Sequence, residues 1–273
     1  MTALMTSART HVVWGLSLVA VLLVGCGREA QAKEPDHTEV LVLEPAAGAK
    51  LKNPVTFKGT IDGPLRSIVL RQGGSKVGVL SVHDARFRFP LFFTADEHGS
   101  VAALTLEAEG AESTTLELQL EPFDLLALED ALAAVDQALR ASPPQFGVGL
   151  ELASRLLGAG HPRFAFVVVL RLEASPEPMS QDERLELSVL RAEIDVVLRH
   201  DEHLREVLTG LQDKPSEPAE LCKLCARLGE RLFALSDFAL VRAEAKLAGA
   251  LLSAGNVLFE RAGLLPRRLL KGY

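Results

Sequence analysis

Tryptophan and tyrosine are almost absent from this chain of 273 residues. Trp14 is the only Trp and Tyr273 the only Tyr, whereas Phe occurs 12 times. Carbohydrate-binding modules usually stack sugar rings on exposed Trp or Tyr, so this scarcity argues against sugar binding by stacking. Lys and Arg form no run apart from Arg267 and Arg268, and the formal net charge is -7, which argues against nucleic acid as a partner.

Recognisable catalytic motifs are lacking as well. No GxSxG or SxxK pattern and no paired-acid arrangement stands out among the serines and carboxylates. The glycine pairs Gly73-Gly74 and Gly158-Ala159-Gly160 are not followed, at the right spacing, by the lysine of a phosphate-binding loop, so they predict turns. The sequence therefore predicts a protein that is not an enzyme and holds no cofactor.

The N-terminal segment has the composition of a cleaved export signal. Arg9 precedes the apolar run Val12–Gly25, whose 14 residues are fewer than the about 20 that a membrane-spanning helix needs. The run leads into Leu23-Val24-Gly25-Cys26, which resembles the lipobox of bacterial lipoproteins at all four positions. The resemblance implies that Cys26 receives a diacylglyceryl group, that residues 1–25 are removed, and that the new amine is usually acylated too.

A lipidated mature chain would begin at Cys26. It would have 248 residues (273 minus 25) and a formal charge of -8, because Arg9 is lost from a chain of charge -7. Two or three acyl chains anchor a protein stably, whereas one does not. In the sorting scheme of enteric bacteria, an Asp after the lipidated Cys retains the protein in the inner membrane, so Gly27 favours the outer membrane. The predicted location is the bacterial cell envelope, with residues 26–37 as a flexible tether.

From residue 38 to residue 121 apolar and polar residues alternate, which is the period of a β-strand. In Phe87-Arg88-Phe89-Pro90-Leu91 the alternation places both rings and the leucine on one face. Turn residues separate seven candidate strands at regular spacing, which predicts an antiparallel β-sandwich. The candidate strands are Glu39–Glu44, Val55–Thr60, Leu65–Arg71, Lys76–Val82, Arg86–Phe93, Val101–Ala108 and Thr114–Leu120.

After Pro122 the apolar residues recur every three or four positions, which is the period of an amphipathic α-helix. Leu, Ala and Arg dominate this half, and segments rich in Pro or Gly separate the candidate helices. The candidate helices are Phe123–Ala141, Gly147–Leu157, Arg163–Ala174, Gln181–Arg199, Glu202–Leu211, Pro218–Ala234, Asp237–Ala254 and Leu264–Lys271. We therefore predict two independently folding units, residues 38–121 and 122–273.

Each half resembles a structural family. The motif Val42-x2-Pro45-x2-Gly48-x5-Pro54-Val55-x3-Gly59 resembles the first two strands of immunoglobulin-like domains in bacterial envelope proteins. In the helical half, Ala131-x3-Val135-x2-Ala138 recurs 34 residues later as Ala165-x3-Val169-x2-Leu172, which resembles the tetratricopeptide repeat. That resemblance implies that Ala131, Ala165 and Ala248 lie where paired helices cross closely. An irregular helical repeat or bundle is the alternative.

Two short motifs have residues that can carry chemistry. Cys222 and Cys225 form a CxxC pair inside a helical pattern, with Ala226 where haem attachment needs His. A local disulfide, two reduced core thiols, and a metal or redox site remain open for this pair. His200 and His203 have a spacing that suits two metal ligands but not that of HExxH, and we interpret them as part of a solvated charged turn. No metal site is therefore predicted.

These observations favour a lipid-anchored envelope protein that acts as a non-enzymatic scaffold or adaptor. Its helical repeats would dock a segment of a partner protein in a groove, and it would contact the membrane through its lipid. The alternative is a binding module for cell-wall glycan or another envelope polysaccharide. Phe92 and Phe93 are adjacent, so one of them is predicted to point outward from its sheet. We interpret that ring as a contact between the two halves in preference to a surface on which a sugar stacks.

Overall fold

Strands occupy the first part of the computed structural model and helices the second. The structure describes residues 39–46, 48–63, 67–82, 85–109, 112–212 and 222–267. Cys26, the predicted signal and the predicted tether lie outside the described residues. The described residues belong to one compact unit, Asp36–Tyr273. The predicted order of β-strands followed by α-helices is confirmed, so the fold is a mixed one.

The strands form three small sheets. Nine strands lie within the described residues: β1 (Glu39–Glu44), β2 (Lys50–Leu51), β3 (Val55–Asp62), β4 (Ser67–Gln72), β5 (Ser75–Ser81), β6 (Arg86–Leu91), β7 (Leu104–Ala108), β8 (Thr114–Leu116) and β9 (Gln119–Leu120). One antiparallel sheet has the order β1-β3-β6 and another the order β5-β4-β7-β8, while β2 runs parallel to β9. The buried faces of the two larger sheets contribute to one hydrophobic core.

The alternation of residues in β6 agrees with the prediction. Phe87, Phe89 and Leu91 are buried and Arg88 is exposed, although Pro90, on the same face as Arg88, is buried as well. Phe57 of β3 lies opposite Phe89, and their ring centroids are 5.1 Å apart. Such aromatic pairs across neighbouring strands stabilise a sheet beyond the apolar area that they bury.

Seven α-helices follow within the described residues, after a short 3₁₀ turn at Leu125–Ala127. They are α1 (Leu128–Leu139), α2 (Phe146–Gly158), α3 (Pro162–Glu173), α4 (Gln181–Leu198), α5 (Asp201–Gln212), α6 (Cys222–Val241) and α7 (Ala245–Arg261). The bounds of α2 to α5 differ from the predicted ones by at most one residue at each end. The predicted last helix is wrong over its described residues, 264–267, which are not helical.

The predicted break between the last two long helices is also wrong. The sequence pattern places it at residues 235–236, whereas α6 continues to Val241. Ser236 stays within the helix because it is buried and its hydroxyl donates a hydrogen bond to the carbonyl oxygen of Ala248 at 2.8 Å. The chain turns instead at Ala243, which adopts a left-handed φ of 61°.

Helix α4 is buried on two sides and lies between two hydrophobic cores. It begins with a capping box, in which the Ser180 hydroxyl accepts from the Glu183 N–H and the Glu183 carboxylate accepts from the Ser180 N–H. Leu185, Val189, Ala192 and Val196 face one core, which includes the strands and α5–α7; Leu187, Leu190 and Ile194 face the other, which includes α1–α3. We name these the strand core and the α1–α3 core.

Helix α6 packs against edge strands of both larger sheets. Phe92 directly follows β6, and its ring centroid lies 5.3 Å from that of Phe238. Gly78 of β5 lies against Val241, where a Cβ on the glycine would be 2.5 Å from Cγ1. Covering an edge strand protects it from pairing with another chain. The predicted contact between the halves through one of the adjacent Phe rings is thus confirmed, while Phe93 is buried.

A second joint links the strand region to the α2–α3 corner. The Asn53 side chain donates to the carbonyl oxygens of Phe93 (2.7 Å) and Leu157 (3.1 Å) and accepts from the Phe93 N–H (2.9 Å). The Ala95 N–H donates to the carbonyl oxygen of Gly160 at 3.0 Å. Gly160 has a φ of 84°, and a Cβ there would lie 2.7 Å from the Ala95 nitrogen, so only glycine fits this close approach.

Candidate functional site

A cavity of about 850 Å³ lies in the groove between α5 and α7. Its floor is apolar and consists of Leu204 and Leu208 of α5 with Leu247 and Ala250 of α7. Its rims carry both signs of charge, with Asp201, Arg205 and Thr209 on α5 and Glu244 and Lys246 beside α7. An apolar floor between charged rims is the arrangement that accepts an amphipathic segment. We name this surface the α5–α7 groove.

Glu244, at the rim of the groove, is paired with Arg242, which does not itself line the groove. The Arg242 guanidinium lies 2.7 Å from Glu244 Oε1 and donates to the carbonyl oxygen of Val196 at 3.0 Å. Burial lowers the pKa of Arg242, although the charge of Glu244 opposes this. Arg242 Nε and Glu244 Oε2 are both buried, and neither makes a hydrogen bond with the described residues.

A second candidate site is built on the buried charges of α4. Asp195 is fully buried and accepts a hydrogen bond from Arg191 Nε at 2.9 Å. Arg191 also donates to Glu173 at 3.0 Å, and its guanidinium carbon lies 4.4 Å from the centroid of the Phe166 ring. Burial raises the pKa of the Glu173 carboxyl above its usual range, although the charge of Arg191 lowers it. Charges that are paired in this way can be carried inside a core.

Both histidines of the predicted charged turn approach the Asp195 carboxylate. His200 Nδ1 lies 3.2 Å from Asp195 Oδ1 in a hydrogen bond. His203 Nδ1 lies 3.4 Å from Oδ2, within ion-pair distance but without the geometry of a hydrogen bond. The interpretation as a solvated turn is therefore incomplete, because the exposed rings are anchored on a buried carboxylate. We name Glu173, Arg191, Asp195, His200 and His203 the Asp195 cluster.

The backbone between α4 and α5 brings the two rings to Asp195. Arg199 adopts a left-handed φ of 62°, which ends α4. The His200 N–H then donates to the carbonyl oxygen of Asp195 at 2.9 Å. Because α5 begins at Asp201, His203 lies in its first turn. Asp195 thus contacts the turn between α4 and α5 through both its backbone carbonyl and its side-chain carboxylate.

Sequence reasoning missed Arg191, Glu193 and Asp195 as buried residues. A signal was present, because charges at every second position of a helix point to opposite sides and cannot all face solvent. The structure shows Arg191 and Asp195 on one side of α4, while Glu193 pairs with Arg231 of α6. Three charges that alternate with the apolar residues Ala192 and Ile194 therefore indicate buried ion pairs.

Glu193 lines a polar cleft of about 590 Å³ between α2, α4 and α6. Arg231 Nε donates to Glu193 Oε1 at 2.8 Å, and its Nη2 contacts Oε2. Burial acts to lower the pKa of Arg231, but the charge and hydrogen bond of Glu193 raise it above its usual value. Arg227 and Glu186 form a second pair between the same helices, at 3.3 Å. Because these charges satisfy each other, the cleft is better explained as a joint between α4 and α6 than as a ligand site.

The remaining predicted site residues give no further chemistry. Cys222 and Cys225 lie in the first turn of α6, with Cys222 Sγ 3.7 Å from the carbonyl oxygen of Arg261. Both are thiols in this structure, and their disulfide stays a prediction. Within the described ranges, no group of three or more His, Cys, Asp or Glu side chains is placed to hold a metal ion. No helix in this part of the chain is long and apolar enough to cross a membrane.

The two glycine motifs are turns, as predicted. Gly73 and Gly74 have positive φ angles between β4 and β5, and Gly160 has one after α2. No protein-family model matches the chain, and no curated protein and no solved structure is significantly similar to it.

Proposed function

We propose that this protein is a lipid-anchored envelope scaffold that binds a segment of a partner protein in the α5–α7 groove. The groove carries the proposal, because its floor is apolar while both rims are charged. Its volume is about 850 Å³, and its walls are contributed by α5 and α7. An amphipathic helix would place side chains at helical spacing on Leu204, Leu208 and Leu247, with its polar face toward the rims.

The finer fold assignments form part of this proposal. Ala165 and Ala248 are fully buried, as close helix crossings require, and Ala131 is half-buried. Glycines allow the paired helices to approach: a Cβ on Gly149 would lie 2.5 Å from Leu172, and one on Gly229 would lie 2.5 Å from Phe259. These contacts support tetratricopeptide-like hairpins in α2–α3 and α6–α7. The two larger sheets, with buried faces in one core, support an Ig-like sandwich.

The lipid anchor at Cys26 is a separate part of the proposal. It is supported by the lipobox-like sequence alone. Cys26→Ala should leave an uncut precursor that takes up no acyl label. A mature protein that still begins at residue 26 and partitions into membranes after this change would contradict the anchor, but not the groove.

In-cell crosslinking tests the groove. A photo-crosslinking residue in place of Arg205 or Lys246, on opposite rims, should capture the same partner protein in intact cells. Leu247→Gln makes the floor polar and should abolish that capture. Leu170→Gln is the matched control, because Leu170 is 44% exposed on α3 and lies outside the groove. Absence of a captured protein, or capture that Leu247→Gln leaves unchanged, would refute the docking function.

Binding of cell-wall glycan is the alternative and leads to a different result. It would show retention on peptidoglycan or polysaccharide with no protein crosslinked at the groove. The structure gives this alternative less support, because the ring of Phe92 packs on Phe238 and Phe93 is 2% exposed. Neither ring thus offers the open face on which a sugar stacks.

A further inference from the structure

We propose that His200 and His203 form a binding site for a divalent transition-metal ion such as Zn²⁺, with Asp195 as the carboxylate that is hydrogen-bonded to His200 and lies within ion-pair distance of His203. This site lies at the α4–α5 corner and goes beyond the docking function. The carrying observation is that one fully buried carboxylate lies within 3.4 Å of the Nδ1 atoms of both imidazoles.

The arrangement matches the chemistry of histidine as a metal ligand. A metal-binding imidazole almost always donates its second ring N–H to a carboxylate, a carbonyl or water, which fixes its tautomer and raises its basicity. A proton on Nδ1, facing Asp195, leaves the lone pair of Nε2 as the available ligand. The His200 and His203 side chains are 42% and 43% exposed, so an ion can reach the outer edges of the rings from solvent.

The surrounding charges suit a cation. Asp195 and Glu173 carry two negative charges against the single positive charge of Arg191, so the cluster has a net negative charge when both imidazoles are neutral. Asp201 and Glu202, in the first turn of α5, add further negative charge near the rings, and Arg199 opposes them. A divalent ion would offset this imbalance at the exposed side of the cluster.

The type of protein ligand indicates which ions to expect. Imidazole suits zinc, copper and nickel, whereas magnesium and calcium prefer oxygen ligands. Two imidazoles leave the other coordination positions to water, since no group of three or more ligand-type side chains among the described residues is placed to hold an ion. The ion would tie the turn that precedes α5 to the first turn of α5, and α5 forms one wall of the α5–α7 groove.

The chain supplies controls for this proposal. His98 is 80% exposed in its side chain and lies beside Glu97, with no buried carboxylate behind it. His98→Gln therefore tests whether any surface histidine suffices. Cys222→Ser tests whether the half-buried thiol of α6 accounts for binding instead.

The experiment is a calorimetric titration of the full chain in detergent with Zn²⁺ alone. We expect one saturable site whose affinity falls by roughly tenfold or more in His200→Gln and in His203→Gln, with no change in the two controls. Asp195→Asn should lower the affinity by about 10- to 100-fold wherever its melting curve shows that it folds. If Asp195→Asn does not fold, the two histidine variants alone test the metal site.

A second readout separates ligation from a structural role. With Cu²⁺ as the probe, the electron paramagnetic resonance spectrum should show coupling to two imidazole nitrogens, and to one in either single variant. Three results would overturn the proposal: no saturable Zn²⁺ binding by the parent chain, unchanged binding in the His200→Gln/His203→Gln double variant, or an equal loss in His98→Gln or Cys222→Ser.

Discussion

The strand core and the α1–α3 core divide the helices differently from the sequence pattern. Helices α5–α7 share a core with the β-strands, whereas α1–α3 pack on the opposite side of α4. The hydrophobic period changes near Pro122, but the division between cores runs along α4. The comparison teaches that a change of period marks where a type of secondary structure begins, and not where a core ends.

Cutting the chain at the change of period should have the largest effect. The core composition leads us to expect that residues 122–273 alone will lose the packing of α5–α7, because the strands supply part of that core. The fragment should bind the dye ANS and melt without a cooperative transition, in contrast to the longer chain 38–273. A fragment that melts sharply would instead support the predicted division into two independent units.

Removing the buried guanidinium of Arg191 on α4 should have the next largest effect. Arg191→Met leaves Asp195 buried without its guanidinium partner, which costs about 3–5 kcal/mol of unfolding free energy. Arg227→Met is the matched control, because that exposed pair with Glu186 contributes about 0–1 kcal/mol. Urea unfolding of both variants measures the difference, and equal midpoints would show that the Asp195 cluster does not stabilise the fold.

Overpacking the α1–α3 core should have a smaller effect. Ala165 is fully buried in α3, and Ala165→Leu should cost about 1–3 kcal/mol. Ala134→Leu on the exposed face of α1 should be nearly neutral. If thermal melts show Ala165→Leu unfolding together with the parent chain, the close helix crossing, and with it the repeat-like assignment, is wrong.

The smallest effect is expected from pH at the joint between strands and α3. His161 is 7% exposed, and burial lowers its pKa, while the charge of Asp96 acts to raise it. The unfolded chain therefore binds a proton at higher pH than the folded chain does. Stability should fall as the pH drops below about 6.5, the ordinary value for histidine, toward the lower pKa of the folded state.

His161→Gln removes this titration. Its unfolding free energy, measured in urea at pH 7 and pH 5, should fall less between the two values than that of the parent chain. Parallel losses in both proteins would show that the buried imidazole does not contribute to the pH dependence.

Local patterns were enough to predict much of the fold. The strand pattern predicted β1 with its observed bounds, and alternation predicted that Phe87, Phe89 and Leu91 of β6 share a buried face. Ser180 followed by Glu183 gives α4 a start signal that lies in the sequence. The end of α6 could not be predicted, because Ser236 looks like a break until its hydrogen bond to Ala248 is known. Only tertiary structure supplies that partner.

The candidate sites were predicted less well for the same reason. The spacing of His200 and His203 suggests a pair of ligands, but Asp195 belongs to the preceding helix, and the sequence does not show that its carboxylate reaches both rings. The α5–α7 groove joins residues from 201 to 250, so its floor exists only after the helices have packed. Sequence periodicity assigns residues to faces of elements, whereas the pairing of those faces depends on the whole core.

The position of α4 has a consequence for hydrogen exchange. A helix at the surface can unfold briefly while the rest of the molecule stays intact, and its amides then exchange with solvent. Helix α4 has a hydrophobic core on each of two sides, so its central amides cannot reach water until both cores have opened. Its protection therefore reports on the whole unit, and a ligand that stabilises either core would slow exchange in the same helix.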